Sequence, residues 1–423
     1  MRFLYSLAMI LATPVLLAYF GVRGFRDHRY WQRWNERLGA ITVDVPGGGI
    51  IVHAASLGEV NAASPLVSAL LQRYPDIPLT ITTITPTGSA RVRELFGDKV
   101  AHQYLPIDLP ALGGRLLARL QPRLFLVLET EIWPNLYRVA DSRTVPLALV
   151  NARMTASSQR GYRRLRGLIA PALRSADAVL AQSEADAERF VDCGAIAERV
   201  TVTGNLKFDI EVSASLAETG DMLKSAWGVG RPVLVAGSTH ESDEAELVEA
   251  FQRLLKSRAD ALLVVAPRHP ERFGRVAEAL REYGLRVCLR SDGRVPPADC
   301  QCLVVDTMGE LGNYYAAADI TFVGGTIEPV GGHNLLEPAA LGKPLLIGPH
   351  TDNVKEIASQ LLAAGAAERV AGRNDIADAA IRLFADAAAR DRMGQAALRL
   401  VENGRGALTK TMNAIDGWVT RDA

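Results

Sequence analysis

Only four cysteines occur in 423 residues, Cys193, Cys288, Cys300 and Cys302, and they form neither a disulfide framework nor the paired C-x-x-C spacing of a zinc site. Reduced, mostly buried thiols in a cytoplasmic protein are the simplest expectation. An excess of either charge is also missing, since 47 Lys and Arg face 47 Asp and Glu. That balance gives no argument for a nucleic-acid partner, none is expected, and only local charge clusters can inform. There is no tandem repeat and no low-complexity segment. Three motifs that hold nucleotides are absent: the D-x-D that carries a divalent metal on a nucleotide diphosphate, the P-loop, and G-x-G-x-x-G. No metal and no other cofactor is therefore expected.

What is present is a chain long enough for two or three domains, 48% hydrophobic and 22% charged. Phe3 to Val22 carries no charged side chain and is long enough to reach across a bilayer or deep into it. Pro14 interrupts the run, so a kinked span and an interfacial anchor both fit. A cleaved signal peptide is the other reading, against which stand Tyr19, Phe20 and Val22, poor neighbours for a cleavage site. Arg23, Arg26, Arg29, Arg33 and Arg37 follow the segment against Arg2 before it, which predicts a cytoplasmic protein facing an anionic inner leaflet. Trp31 and Trp34 sit among these arginines as headgroup-level aromatics do.

From Gly49 onward short apolar runs alternate with helix-length amphipathic stretches, the pattern of a doubly wound parallel sheet. Strands are expected at Ile50 to His53, Leu79 to Thr83, Leu124 to Leu128, Leu147 to Val150, Ala178 to Ala181 and Val200 to Val202. The alternation pauses over the largely polar Gly204 to Glu218, which marks a domain boundary. A second series follows at Pro232 to Ala236, Leu262 to Ala266, Arg286 to Leu289, Leu303 to Val305, Ile320 to Val323 and Leu345 to Ile347.

Polar, glycine-rich segments follow these strands, at the edge where open parallel sheets bind ligands. After Ile320 to Val323 come Gly324 and Gly325, then Gly331, Gly332, His333, Asn334 and an apolar run from Leu335 to Leu341 that predicts a helix. Nearly free of Cβ atoms, this turn predicts a phosphate seat with Glu337 placed for ribose hydroxyls. Tight packing with Asn334 as a cap and Glu337 as its partner explains the same residues. The first strand leads into His53-Ala-Ala-Ser56-Leu-Gly58-Glu59, where Glu59 is either a capping-box partner of Ser56 or a base for a sugar hydroxyl. Glu129-Thr-Glu131-Ile-Trp133-Pro134-Asn135 offers two acids that fit a helix start or a reacting centre. Arg160, Arg163, Arg164 and Arg166 form either a solvated helix face or a seat for a phosphorylated lipid. Gly237 to Glu244 is a further candidate anion seat. Arg268 suits a phosphate or a pyrimidine carbonyl, or else caps a turn.

The segment GGTIEPVGGHNLLEPAALGKPLLIGPHTDN resembles the nucleotide-binding segment of GT-B glycosyltransferases, and more narrowly that of the Kdo transferases. These pass 3-deoxy-D-manno-octulosonic acid (Kdo) from CMP-Kdo to the lipid A precursor. The resemblance covers nearly the whole chain. It implies two Rossmann-like doubly wound α/β domains facing a cleft: residues 24–210 for the acceptor and 211–423 for the CMP-sugar, behind a membrane anchor at 1–23. H-x-x-S-x-G-E implies that Glu59 is the general base. E-T-E-x-W-P-N implies a stabilising acid, assigned by position to Glu129 before Glu131, and G-N-x-K-x-D implies a phosphate-directed Lys207. For CMP the resemblance implies Arg268, His269, Met308, Gly309, Glu310, Asn334, Leu335, Leu336 and Glu337, although Leu335 stands where proline or isoleucine is more usual. The implied reaction is an inverting, metal-independent transfer at the cytoplasmic side of the inner membrane. Its partners are CMP-Kdo, the lipid A precursor and the anionic leaflet. A UDP-sugar transferase or epimerase, and a membrane-tethered nucleotide-binding scaffold, are the rival readings.

Overall fold

The computed structural model describes residues 1–210, 212–293 and 295–421. The chain divides into two compact units, Met1–Asp209 with Arg405–Ala423, and Ile210–Gly404. In the first unit β1 (Ile50–His53), β2 (Leu79–Thr83), β3 (Ala101–Tyr104), β4 (Leu124–Leu128), β5 (Leu147–Ala152), β6 (Ala178–Ala181) and β7 (Val200–Val202) build one sheet. Its order is β3-β2-β1-β4-β5-β6-β7, with every neighbouring pair parallel. In the second unit β8 (Val233–Thr239), β9 (Leu262–Pro267), β10 (Val287–Leu289), β11 (Cys302–Val304), β12 (Ile320–Val323), β13 (Leu345–Ile347) and β14 (Ala367–Arg369) do the same. Here the order is β10-β11-β9-β8-β12-β13-β14, again all parallel.

Strand composition follows from burial on both faces. In β4, Leu124, Leu126 and Leu128 enter one core cluster while Phe125 and Val127 enter another, so both phases of the two-residue period must be apolar. In β9 the same split separates Leu263 and Val265 from Leu262 and Val264. Strand order reverses between β1 and β4 in the first sheet, and between β8 and β12 in the second. Loops diverge at such points and leave room at the carboxyl edge.

Four expectations need correction. Strands β3 and β14 were not expected: the first carries the polar sequence AHQY, and the second is three residues long at a sheet edge. The second domain does not run to residue 423, because the helix Ala407–Val419 belongs with the first unit. Its Met412, Ile415 and Val419 join Leu66 and Leu70 in one core, and both carboxylate oxygens of Asp209 accept from Gly406 N and Leu408 N at 2.7 Å. Glu211, where the second domain was expected to start, lies outside the described residues. The expected linker is shorter than 204–218, since a helix begins at Ala214. Arg33 and Arg37, finally, do not face outward. Arg37 is 2% exposed, its guanidinium 4.4 Å from the Phe20 ring and 4.2 Å from that of Tyr104. Arg33 pairs with Glu36 at 2.6 Å and donates to the His102 carbonyl at 2.7 Å.

Candidate functional site

At the reversal point of the first sheet, Ser56 caps the helix Leu57–Arg73 and brings Glu59 back towards the strand end. Glu59 Oε2 accepts from Ala55 N at 2.8 Å, and Oε1 from Ser56 Oγ at 3.0 Å. The capping geometry is therefore real, but the carboxylate remains half-buried rather than sealed. Burial and the nearby Glu131 carboxylate push its pKa up to about 7 against the Ala55 hydrogen bond, with Glu129 adding to the rise. A carboxyl that keeps its proton to near neutrality is poised to exchange it there.

Glu129 follows β4 directly with φ of 54°, a left-handed conformation that costs energy in a side-chain-bearing residue. Asn151 at the end of β5 shares it, with φ of 52°. Lys207 comes from the turn after β7, and its Nζ lies 3.9 Å from Glu129 Oε1. That turn is fixed from below, because the buried Asn151 accepts from Leu206 N at 3.0 Å and Asn205 accepts from Lys207 N at 3.0 Å. Glu131 Oε2 lies 3.9 Å from Nε2 of the fully buried His53, whose other ring nitrogen bonds Thr82 Oγ1 at 2.9 Å. His53 Nε2, Trp133 Nε1 and Asn151 Nδ2 are buried without a hydrogen-bond partner. The structure thus brings Glu59, Glu129, Glu131 and Lys207 to one edge of one unit.

The carboxyl edge of the second sheet is centred on the β8/β12 reversal. His240 and His333 stack with rings 5.1 Å apart and 2° from parallel, their Nε2 atoms 2.9 Å from each other, and the His269 ring meets that of His240 edge-on at 5.4 Å. Burial, with Arg268 and the other two histidines nearby, pushes His333 down to about 4, so it is neutral at pH 7. Asp243, fully buried, accepts from His240 N at 2.9 Å, Gly325 N at 2.6 Å and Ile327 N at 3.2 Å, tying the β8 loop to the β12 loop. Gly324 has no room for a side chain there: a Cβ would stand 2.4 Å from the Ser238 carbonyl oxygen.

Arg268 is exposed and acts electrostatically on His333 and on Glu337. Burial raises the Glu337 carboxyl, against the pull of its bond from Asn334 Nδ2 at 3.0 Å. The expected helix 335–341 is only Leu336–Ala340, and its leading Leu336 N already donates to Asn334 Oδ1 at 3.0 Å. The Asn334 side chain thus occupies one of the backbone N–H groups expected to seat a phosphate. Leu335 and Leu336 are buried, so they offer a ligand backbone and not side chain. The start of the helix Glu241–Leu255 carries Glu241, Asp243 and Glu244 in its first turn, which disfavours the anion expected there. Met308, Gly309 and Glu310 follow β11. Met308 is 64% exposed, Gly309 has φ of 83°, and Glu310 is engaged by Arg290 at 3.0 and 3.2 Å and by Thr307 at 2.6 Å. No hydrogen bond, ion pair or ring contact among the described residues joins these three to the histidine group.

The sequence pointed to the segments that hold His240, His333 and Asp243 but gave these three side chains no role of their own. Asp243 stands three residues after His240, a visible capping spacing, but its second role needs Gly325 and Ile327 beside it in space. Among the described residues no three His, Cys, Asp or Glu side chains are grouped to hold a metal ion.

Residues 32–210 match the family model described as 3-deoxy-D-manno-octulosonic-acid transferase (kdotransferase). The chain is 36% identical to the 3-deoxy-D-manno-octulosonic acid transferase of Haemophilus influenzae, over 100% of this chain and 99% of that one. It is 38% identical to the transferase of the same name from Bordetella pertussis, over 99% of each. Among solved structures, UDP-GlcNAc 2-epimerase from Neisseria meningitidis bound to UDP-GlcNAc matches with a TM-score of 0.54 at 14% identity, over 88% of this chain and 100% of that one, a likeness of fold.

Proposed function

The chain belongs to the 3-deoxy-D-manno-octulosonic-acid transferase family of glycosyltransferases, and from that premise we propose that it transfers Kdo from CMP-Kdo to lipid IVA, the lipid A precursor. The proposed reaction is inverting and needs no metal, and it takes place at the cytoplasmic face of the inner membrane. The observation that carries the chemistry is Glu59, a half-buried carboxyl at the first sheet's reversal point with its pKa at about 7.

Glu59 takes the proton of the attacking lipid hydroxyl as the new bond forms to the anomeric carbon. The bond from that carbon to the CMP phosphate breaks, and CMP leaves with the electron pair. Lys207, held beside Glu129, supplies positive charge for the departing phosphate. In the second unit Arg268 and the neutral His333 and His240 group supply donors for the nucleotide, and Glu337 with Asn334 accepts from ribose hydroxyls. His269, Met308, Gly309 and Glu310, with the backbone of Leu335 and Leu336, complete the proposed CMP site. Metal independence is supported by the missing D-x-D and by a leaving group with a single phosphate.

The test is mass spectrometry of lipid IVA incubated with purified protein, CMP-Kdo and excess EDTA. The lipid should gain the mass of Kdo, and UDP-GlcNAc offered instead should give no product. Product from the UDP-sugar alone would overturn the donor assignment, and loss of transfer restored by magnesium would overturn metal independence.

A further inference from the structure

We propose that the N-terminal helix lies in the plane of an anionic lipid leaflet, docked on the first unit at both ends, and does not cross the bilayer. The proposal rests on the membrane location proposed above and fixes its geometry. Arg2–Gly24 is one continuous helix through Pro14, with mean hydropathy of 1.9. Its two sides differ. Phe3, Leu7, Leu11, Val15, Tyr19 and Val22, spaced three or four apart, form an outer stripe with exposures between 42% and 78%. On the opposite side Met9, Ala12, Leu16 and Phe20 are only partly exposed, and the helix is fastened to the unit at both ends.

At the amino end Tyr5 OH donates to Asp108 Oδ2 at 2.9 Å and Ser6 Oγ to Asn135 Oδ1 at 3.0 Å, while Met1 rests on Gly167. Asp108 and Asn135 are 5% and 1% exposed, and both belong to the polar network that starts the helix Pro134–Ser142. At the carboxyl end the Trp31 indole donates to Gly21 O at 2.9 Å and covers Gly24, and Phe20 stacks on Tyr30 at 6.1 Å. A lone helix that spans the bilayer is surrounded by hydrocarbon along its apolar length. Docked in this way, a crossing helix would drag Asp108, Asn135 and the turn between them into hydrocarbon, where polar groups lose their water. Lying flat, it immerses only the apolar stripe.

Charge at the two ends identifies the surface. Gly167, under Met1, lies in the basic stretch where Arg160, Arg164 and Arg166 are exposed around Leu165, itself 48% exposed. Beyond the other end Arg26 is exposed and Trp31 is 45% exposed. An apolar stripe with cations at both ends complements a leaflet with anionic headgroups.

The experiment adds full-length protein carrying Cys288→Ser to preformed phosphatidylcholine vesicles containing phosphatidylglycerol and no acceptor lipid. One new cysteine is placed at Arg2, Leu11 or Arg26, and an impermeant maleimide is added outside. Vesicle-bound Arg2→Cys and Arg26→Cys should both label, and Leu11→Cys should be protected only when vesicles are present. Protection of Arg2→Cys until the vesicles are opened would show a crossing helix and overturn the proposal. Continued labelling of bound Leu11→Cys would overturn it too. Arg164→Glu with Arg166→Glu, checked by a melting curve, should weaken vesicle binding about tenfold or more; unchanged binding would refute the charged contact. Turnover on detergent-dispersed lipid IVA reads the transferase assignment separately, so failure there with the predicted labelling would sink that assignment and leave the docking intact.

Discussion

The ammonium nitrogen of Lys207 stands 3.9 Å from Oε1 of Glu129. One residue follows β7 and the other follows β4, so the pair exists only because β5 and β6 place those loops on the same edge. At this distance the carboxylate orients the ammonium without sealing it, and both side chains remain partly open, at 35% and 24% exposure.

If the pair acts as one unit, Lys207→Ala and Glu129→Gln should each lower kcat by roughly a hundredfold. The double variant should lose far less than the product of the two. Multiplicative losses in steady-state kinetics would show two independent roles.

Rate should follow the ionisation of Glu59. A base must be charged to accept a proton, so kcat/KM for the acceptor should climb with pH and level off above about 7. Glu131→Gln removes a charge that raises this group, and the midpoint should move to lower pH. A flat profile, or a midpoint indifferent to Glu131, would contradict the assignment. Stability carries the opposite sign. Glu59 holds its proton more tightly folded than unfolded, so its contribution is fully present below about 4.5 and lost as pH rises through about 7. Relative to the parent, Glu59→Gln should therefore melt higher at pH 8 than at pH 5.

Asp243 receives three backbone N–H groups from two loops. Asp243→Asn replaces an acceptor with a donor facing them and should cost about 2 kcal/mol. Calorimetry should show a lower melting temperature, and CMP affinity should fall with the loosened glycine loop. Unchanged CMP affinity in a destabilised variant would confine Asp243 to folding.

The β-strand framework was legible where both faces of a strand are buried, since Leu124–Leu128 and Ile320–Val323 can hardly be anything else. Strand β3 was not, because AHQY draws its stability from neighbours: Glu36 accepts from Tyr104 N at 2.8 Å, and His102 serves Arg33. The last helix joins the first unit through Asp209, a pairing across nearly half the chain that no local pattern carries. The placement of Glu59, Glu129 and Lys207 at one sheet edge was legible from the strand ends they follow. The histidine stack was not, since His240, His269 and His333 meet only once β8, β9 and β12 are neighbours.

Glu59 is proposed as the general base and not only as a helix cap. Glutamine preserves the capping shape, and even complete loss of a cap costs about 1 kcal/mol. The decisive measurement is turnover of CMP-Kdo and lipid IVA by purified Glu59→Gln, with a melting curve and a CMP titration on the same sample. A general base at this position leaves Glu59→Gln folded, with unchanged CMP affinity and a rate lower by roughly a hundredfold to ten-thousandfold. A folded, CMP-binding variant with near-normal turnover would contradict it and leave Glu129 or Glu131 as the base.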